Sequence, residues 1–464
     1  MSKSLLAIKS FQYKNEDKIN KILNHLTVIY MFFIPIKPHG NQVSFIFFAY
    51  FILLLLRGNF KKYILDSFQH PLTKAFLLFF LVHIFWLIGT EDFSNAIFKI
   101  KHSYYLLYPF FFFLFLDKRF FYRFINGFLA GVLLSEILSY SMQFHLIPWG
   151  YSINDIQFFW NELGHLKNLI IYNAIWNEPA PFLEHGFYSI VISLAAAILF
   201  FKAFLSKQEA KDKHYFSIIF FITMSFNLLF IQGRVGYVLY SCLILYLLFQ
   251  YYKKNNSIIH IISLILIPLT IAIIMYNNGG AFQKRIHHTI NVATNFLTTK
   301  NNAKNSSFEQ RLCMAKSSIN IIEKNVLFGV GTGDELLLLR KDPKNIGCDI
   351  MKRVDNVHNQ YLEILMQFGI IGLIVYFNLL YQIYKYDTKN EDTNHIKILL
   401  LIAMIITGFF GYFWFLLTAL YGMLLVISTN KNIIIQDKMQ ALNIKSFFIY
   451  IIFTLIIYIY GLVQ

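Results

Sequence analysis

VDNVHNQYLEILMQFGIIGLIVYF, residues 354–377, is the stretch whose reading decides the fold. A His-Asn pair opens an apolar helix directly after a long polar loop, and nine residues separate it from Gly369-Ile370-Ile371-Gly372. Asp355 and Asn356 are good N-cap types, which predicts His358 in the first turn of a membrane helix. Ionisable groups at a membrane–water boundary are costly to keep and usually serve function. The positive end of the helix macrodipole would lower the imidazole pKa and favour the neutral base. A neutral imidazole can take the proton of a hydroxyl as that hydroxyl attacks, and the same helix end can cradle a phosphate. The plainer alternative is an interfacial His that only caps the loop.

Working outward, the chain has 464 residues, 57% of them hydrophobic and 14% charged, with mean hydropathy +0.52. Soluble domains carry about 25% charged residues, so the composition predicts an all-α polytopic membrane protein. Apolar runs lie near 22–36, 41–57, 72–90, 98–116, 120–147, 183–205, 215–232, 235–252, 257–276, 358–384, 396–428 and 446–462. The run at 396–428 reads as two short helices turning at Gly408 to Gly411, giving 12 or 13 transmembrane helices in all. Residues 1–21 are polar and basic with no small-residue cleavage site after the first apolar run, so the first helix is expected to stay as an anchor. The net charge of +16 fits Lys- and Arg-rich cytoplasmic loops and need not imply nucleic acid.

Loop charge sets the orientation. Lys3 to Lys21, Arg57/Lys61/Lys62, Lys118/Arg119/Arg123, Lys202 to Lys213, Lys253/Lys254 and Lys385 to Lys397 fall inside, and the loops 149–182 and 277–357 fall outside. The domain layout is therefore 1–276, transmembrane helices 1–9 with a smaller outer loop at 149–182; 277–357, a large outer loop; and 358–464, the C-terminal helices. The 277–357 loop holds 12 Lys+Arg against 7 Asp+Glu and reads as a folded, mostly helical cap, with a joint at 300–307. Cys313 and Cys348 share this loop and could pair in an oxidising compartment. Cys242 reads as small core filler.

Other candidate residues lie near the same outer face. Arg234, in Gly233-Arg234-Val235-Gly236, sits in a tight turn between two apolar runs, where its planar fork suits phosphate oxygens; it is otherwise a snorkelling interfacial Arg. Arg311 opens a predicted helix running to about Lys324, and the alternative there is a solvated loop charge. Gly329-Val330-Gly331-Thr332-Gly333-Asp334 lacks the Gly-Lys-Ser/Thr of a P-loop and reads as a tight turn returning the loop over the membrane. Glu136, deep in an apolar run, is either a functional carboxylate or one satisfied by Ser135 and Ser139. No HExxH, CxxC pair or acidic triplet suggests a metal.

Together these elements resemble the O-antigen ligase and polymerase superfamily of bacterial inner-membrane glycosyltransferases. The likeness covers about 230–380 and lies in three elements in the family's order. They are a turn with Arg234 and Gly236; an Arg311 helix followed by the Gly329–Gly333 turn; and His358-Asn359, nine residues, Gly369-x-x-Gly372. The Arg234 turn departs from the commoner Ser-Arg-x-Gly form, and a thirteenth helix would put the C-terminus outside, unlike the usual even count.

The resemblance implies a GT-C-like membrane fold and transfer of a glycan from undecaprenyl diphosphate to a sugar hydroxyl at the periplasmic face. The acceptor is lipid A-core for a ligase, the favoured case, and another lipid-linked repeat for a polymerase. A protein O-oligosaccharyltransferase and a non-enzymatic transporter of lipid-linked glycan are the alternatives. His358 would be the base and Arg234 and Arg311 would hold the diphosphate, while Asn359, Gly331, Gly333 and Tyr361 would contact substrate. Membrane lipids are the other partners; no metal, ATP or cofactor is implied, because the donor arrives activated.

Overall fold

The computed structural model describes residues 3–36, 40–144, 180–206, 211–231, 233–256, 307–341, 356–388 and 390–411, with isolated positions between 262 and 294. All regular structure among them is helical: the chain is an all-α polytopic membrane protein. Among the described residues, five helical stretches are long and apolar enough to cross a membrane: Lys9–Ile36, Lys118–Gln143, His185–Phe204, Arg234–Asn255 and Gln360–Lys385. The expected spans near 257–276 and 446–462 and the second half of 396–428 lie outside the described residues.

In chain order the helices are α1 (Lys3–Phe33), α2 (Gly40–Arg57), α3 (Phe60–Gln69), α4 (Pro71–Phe85), α5 (Phe93–His102), α6 (Tyr108–Phe113) and α7 (Phe121–Gln143). There follow α8 (His185–Phe204), α9 (Lys211–Phe230), α10 (Arg234–Asn255), α11 (Ser307–Lys324), α12 (Asp334–Lys341), α13 (Gln360–Lys385) and α14 (Glu391–Gly408). The centre is α8, whose residues Tyr188 to Ala203 are all buried. A helix apolar on every side belongs inside a bundle rather than at its rim. It packs against α7, α9, α10 and α14, while α13 packs against α4, α11 and α14. Small residues set the close crossings, as in membrane helices generally. Gly233 and Gly236 of the α10 start press on Ser189 of α8, and Gly127 and Gly131 of α7 press on the backbone of Val28 and Phe32 in α1.

Two apolar runs are not single spans. The run at 72–90 supplies α4, which meets α3 at an 83° bend. Pro71 at the start of α4 explains the break, since proline disfavours helical backbone in the residue before it and starts helices well. The run at 98–116 is split into the end of α5, a 3-10 turn over Tyr104–Leu107, and α6. Glu136 is buried, but Ser139, one of its expected partners, pairs instead with Asn227 of α9 at 3.0 Å.

The α1–α7 crossing has no room for a side chain at residue 131, where a Cβ would meet the Phe32 carbonyl and the Pro35 ring. Gly131→Leu should therefore destabilise the protein by about 1–3 kcal/mol, the usual cost of overpacking. The check is a lowered thermal midpoint in detergent, with Gly89→Leu, at a position open to solvent but in positive-φ backbone, as a comparison for strain without crowding.

Candidate active site

The site is built around a break in α13. Gly369 has φ 61 and ψ −160 inside the helix, so the carbonyls before it and the amides after it lose their helical partners. The segment Val326–Gly331 supplies replacements. Val330 N donates to Met366 O at 2.8 Å and Gly331 N to Gln367 O at 3.0 Å, while Ile370 N donates to Val326 O at 2.9 Å. Glycine is required on both sides: a Cβ on Gly369 would strike the Leu327 carbonyl, and one on Gly329 would strike the Gln367 carbonyl. The Gly-x-x-Gly signature and the glycine-rich turn are thus two halves of one joint.

The far side of that turn is pinned to the α4–α5 connection. Thr332 N donates to Trp86 O at 3.0 Å and Thr332 Oγ1 to His83 O at 2.8 Å. The Asp334 carboxylate accepts from Asp92 N at 2.8 Å and Glu91 N at 2.9 Å, and Asn95 Nδ2 donates to Gly333 O. Gly333, at φ 93, lies against the backbone of Ala96, and Gly331, at φ 108, lies near Thr90. Their geometry has a packing cause, and the expectation that they touch substrate gains nothing from it.

His358 lies two residues before α13, in the left-handed region at φ 51. This corrects its expected place in the first helical turn, and the cause is local. Asn359, not Asp355 or Asn356, is the N-cap: its Oδ1 accepts from Tyr361 N at 3.0 Å and Leu362 N at 3.1 Å. Asn356 Oδ1 instead accepts from His358 N at 3.0 Å. The imidazole is half-buried. Burial lowers its pKa below the usual histidine value, and the nearby Arg311 guanidinium lowers it further. Tyr361 donates its hydroxyl to Ile405 O at 2.8 Å and packs on Phe409 of the α14 end, so it holds α13 to α14.

Arg311 stands in the first turns of α11, also half-buried; burial lowers its pKa and the Glu184 carboxylate opposes that effect. Glu184 is the N-cap residue of α8. Arg234 opens α10, whose N-cap Gly233 lies against the His185 carbonyl at the start of α8. The α8 start therefore joins the three predicted residues: it touches the Arg234 turn on one side and feels the Arg311 charge on the other, and Arg311 acts on His358. Neither α8 nor α10 starts with a side-chain cap, an arrangement that leaves helix N-terminal polarity available to an anion.

Residues 219–377 match the family model described as O-antigen ligase. Over that segment, about a third of the chain, the protein is similar to the O-antigen ligase family. No curated protein matches the chain. The matched segment contains Arg234, Arg311, the glycine turn, His358 and the Gly369 joint, and the family it resembles is a ligase/polymerase group of glycosyltransferase type. Its described residues contain no cluster of three or more His, Cys, Asp or Glu side chains fit to hold a metal.

Sequence reasoning missed the buried charges next to the candidate site. Lys99 of α5 lies 2.8 Å from Glu335 of α12 and 2.6 Å from Glu363 of α13, all three buried. Glu363 carried a usable signal, an acid among apolar residues of a membrane helix. Glu184 gave none, being one carboxylate in a polar stretch.

The His358 environment makes a signed prediction. Removing a neighbouring positive charge eases protonation, so Arg311→Ala should raise the His358 pKa, and a higher pH is then needed to reach the neutral form. The rate of His358 carbethoxylation, followed by peptide mass spectrometry against pH, should shift its midpoint upward in the variant. A downward shift or none would contradict the electrostatic link.

Proposed function

We propose that the protein is an O-antigen ligase that transfers a glycan from undecaprenyl diphosphate to a sugar hydroxyl of lipid A-core at the periplasmic face of the inner membrane. The observation that carries this reading is the pairing of an imidazole held neutral by burial with an arginine beside it, inside the segment that matches the O-antigen ligase family. His358 takes the proton of the acceptor hydroxyl, whose oxygen forms the new bond to the anomeric carbon. The bond from that carbon to the diphosphate oxygen breaks, and its electron pair leaves with undecaprenyl diphosphate. Arg311 and Arg234 offset the charge that develops on the leaving group. One displacement inverts the anomeric centre. Asn359, Tyr361 and the turn glycines support the geometry around His358.

The diphosphate supplies the activation, so the reading gives no step to ATP, metal or cofactor. The Cys313 disulfide supports an oxidising compartment for the cap that α11 belongs to, in agreement with the loop-charge orientation.

The test is a lipopolysaccharide gel from a deletion strain complemented with the wild-type or His358→Ala protein. The ligase reading expects the variant to lose every capped core species while lipid-linked polymer accumulates. Cores bearing a single repeat would indicate a polymerase, and an unchanged ladder would remove His358 from the chemistry. In a purified assay, Arg311→Ala should lower turnover about 100-fold, the scale of losing one preorganised charge stabiliser. Arg311→Lys should recover little of it, because an ammonium lacks the planar fork.

A further inference from the structure

We propose that the buried Lys99–Glu363 ion pair is a positioning device that sets the orientation of the first part of α13, and with it His358. The inference rests on the reading of His358 above for its consequence in turnover, and on geometry alone for the placement itself.

The break at Gly369 leaves Gln360–Phe368 as a helical piece of nine residues. Helices shorter than about 12 residues are not self-supporting in isolation, so the direction in which this one faces is decided by what it is tied to. Its cap, Asn359, is internal to the piece. The outside ties are the turn amides at Met366 and Gln367, the Tyr361–Ile405 bond, and the Glu363 carboxylate. Glu363 is four residues after Asn359, one turn along the same face. Its Oε1 lies 2.6 Å from Lys99 Nζ and accepts from Gln367 Nε2 at 3.0 Å.

Lys99, Glu335 and Glu363 are 5%, 0% and 1% exposed. The cavity beside them, lined by His83, Ser103, Gln360 and Gln367 among others, measures about 10 Å³, room for about one water. No sugar or phosphate reaches these groups, so they are not catalytic residues. Stability alone is a poor account of them, because apolar residues of like volume usually serve a core as well as a buried ion pair does. What an ion pair adds is a directional tie: a single α5 ammonium reaches both α13, below His358, and α12, directly after the turn that fills the Gly369 break.

Glu363→Gln cuts the tie to α13 and leaves Lys99 balanced by Glu335, so one buried ammonium still meets one buried carboxylate. Glu335→Gln is the mirror substitution and leaves the α13 tie in place. Full-length wild type and both variants, purified in detergent and matched for thermal midpoint, are treated with diethyl pyrocarbonate across pH, and modification of His358 is read by peptide mass spectrometry. Positioning predicts that Glu363→Gln moves the His358 midpoint up toward the free-histidine value of about 6.5, and that Glu335→Gln moves it less than half as far. Turnover of a purified polyprenyl-diphosphate-linked glycan by Glu363→Gln should fall about 100-fold, as for a displacement near 1 Å, with KM changed by less than about twofold.

Equal midpoints in Glu363→Gln and wild type overturn the proposal, as do equal shifts in the two variants, which would mark a general loosening. Should either glutamine variant fail to fold, Lys99→Arg in the same assay decides: it keeps the ionic tie and must keep the wild-type midpoint. If wild type itself transfers no glycan, the proposed function fails while the midpoints still decide the positioning role.

Discussion

A helix interrupted within a membrane must hand its unpaired carbonyls and amides to another part of the protein, because hydrocarbon offers them no partner and each orphan costs several kcal/mol. In this chain the interruption is at Gly369 and the receiving segment is Val326–Gly331. Much of the described architecture near the site follows from that exchange. The segment that carries α11 and α12 is obliged to send a turn to α13 rather than to fold as a separate unit. The turn must be glycine-rich, since side chains at residues 329 and 369 would collide with backbone. Its outer edge is then pinned to the α4–α5 connection by Thr332 and Asp334, which ties the first quarter of the chain to the last.

The charges are layered about this joint. Above it stand Arg311 and, across the α8 start, Arg234, near an imidazole that burial keeps neutral. Beneath it, one ammonium meets two carboxylates out of reach of solvent. The two groups differ in burial: the Lys99 cluster is closed to solvent, while Arg311 and His358 are only half-buried.

Much of this was legible in the sequence, and the parts that were not share a physical cause. Periodicity and composition marked the all-α membrane class, and the His358–Gly372 spacing with the Arg234 and Arg311 turns marked the family segment. What failed were inferences that needed knowledge of a distant partner. His358 was expected inside the helix because Asp355 and Asn356 are good caps in isolation; Asn359 is as good, and it captures the Tyr361 and Leu362 amides. The glycine run at 329–333 read as a tight turn returning the loop over the membrane, but nothing local reveals that its amides serve carbonyls some 36 residues later in the chain, Val330 to Met366. Lys99 carries no signal of its own in the sequence, and only the fold brings two buried acids to it.

The conformation of His358 bears on the choice between a capping and a chemical role. A non-glycine residue at positive φ stores about 1–3 kcal/mol, held by its surroundings; here those are the Asn356 side chain ahead of it and the Asn359 cap behind. Asn or Gly would occupy that backbone at less cost, since both tolerate the left-handed region better. If the residue merely joined loop to helix, the cheaper side chains would serve as well. Retaining an imidazole there, half-buried beside a guanidinium that disfavours its protonated form, adds an electrostatic cost to the conformational one. The electrostatic cost favours the unprotonated ring. That is the form the proposed base would use and a cap would not need.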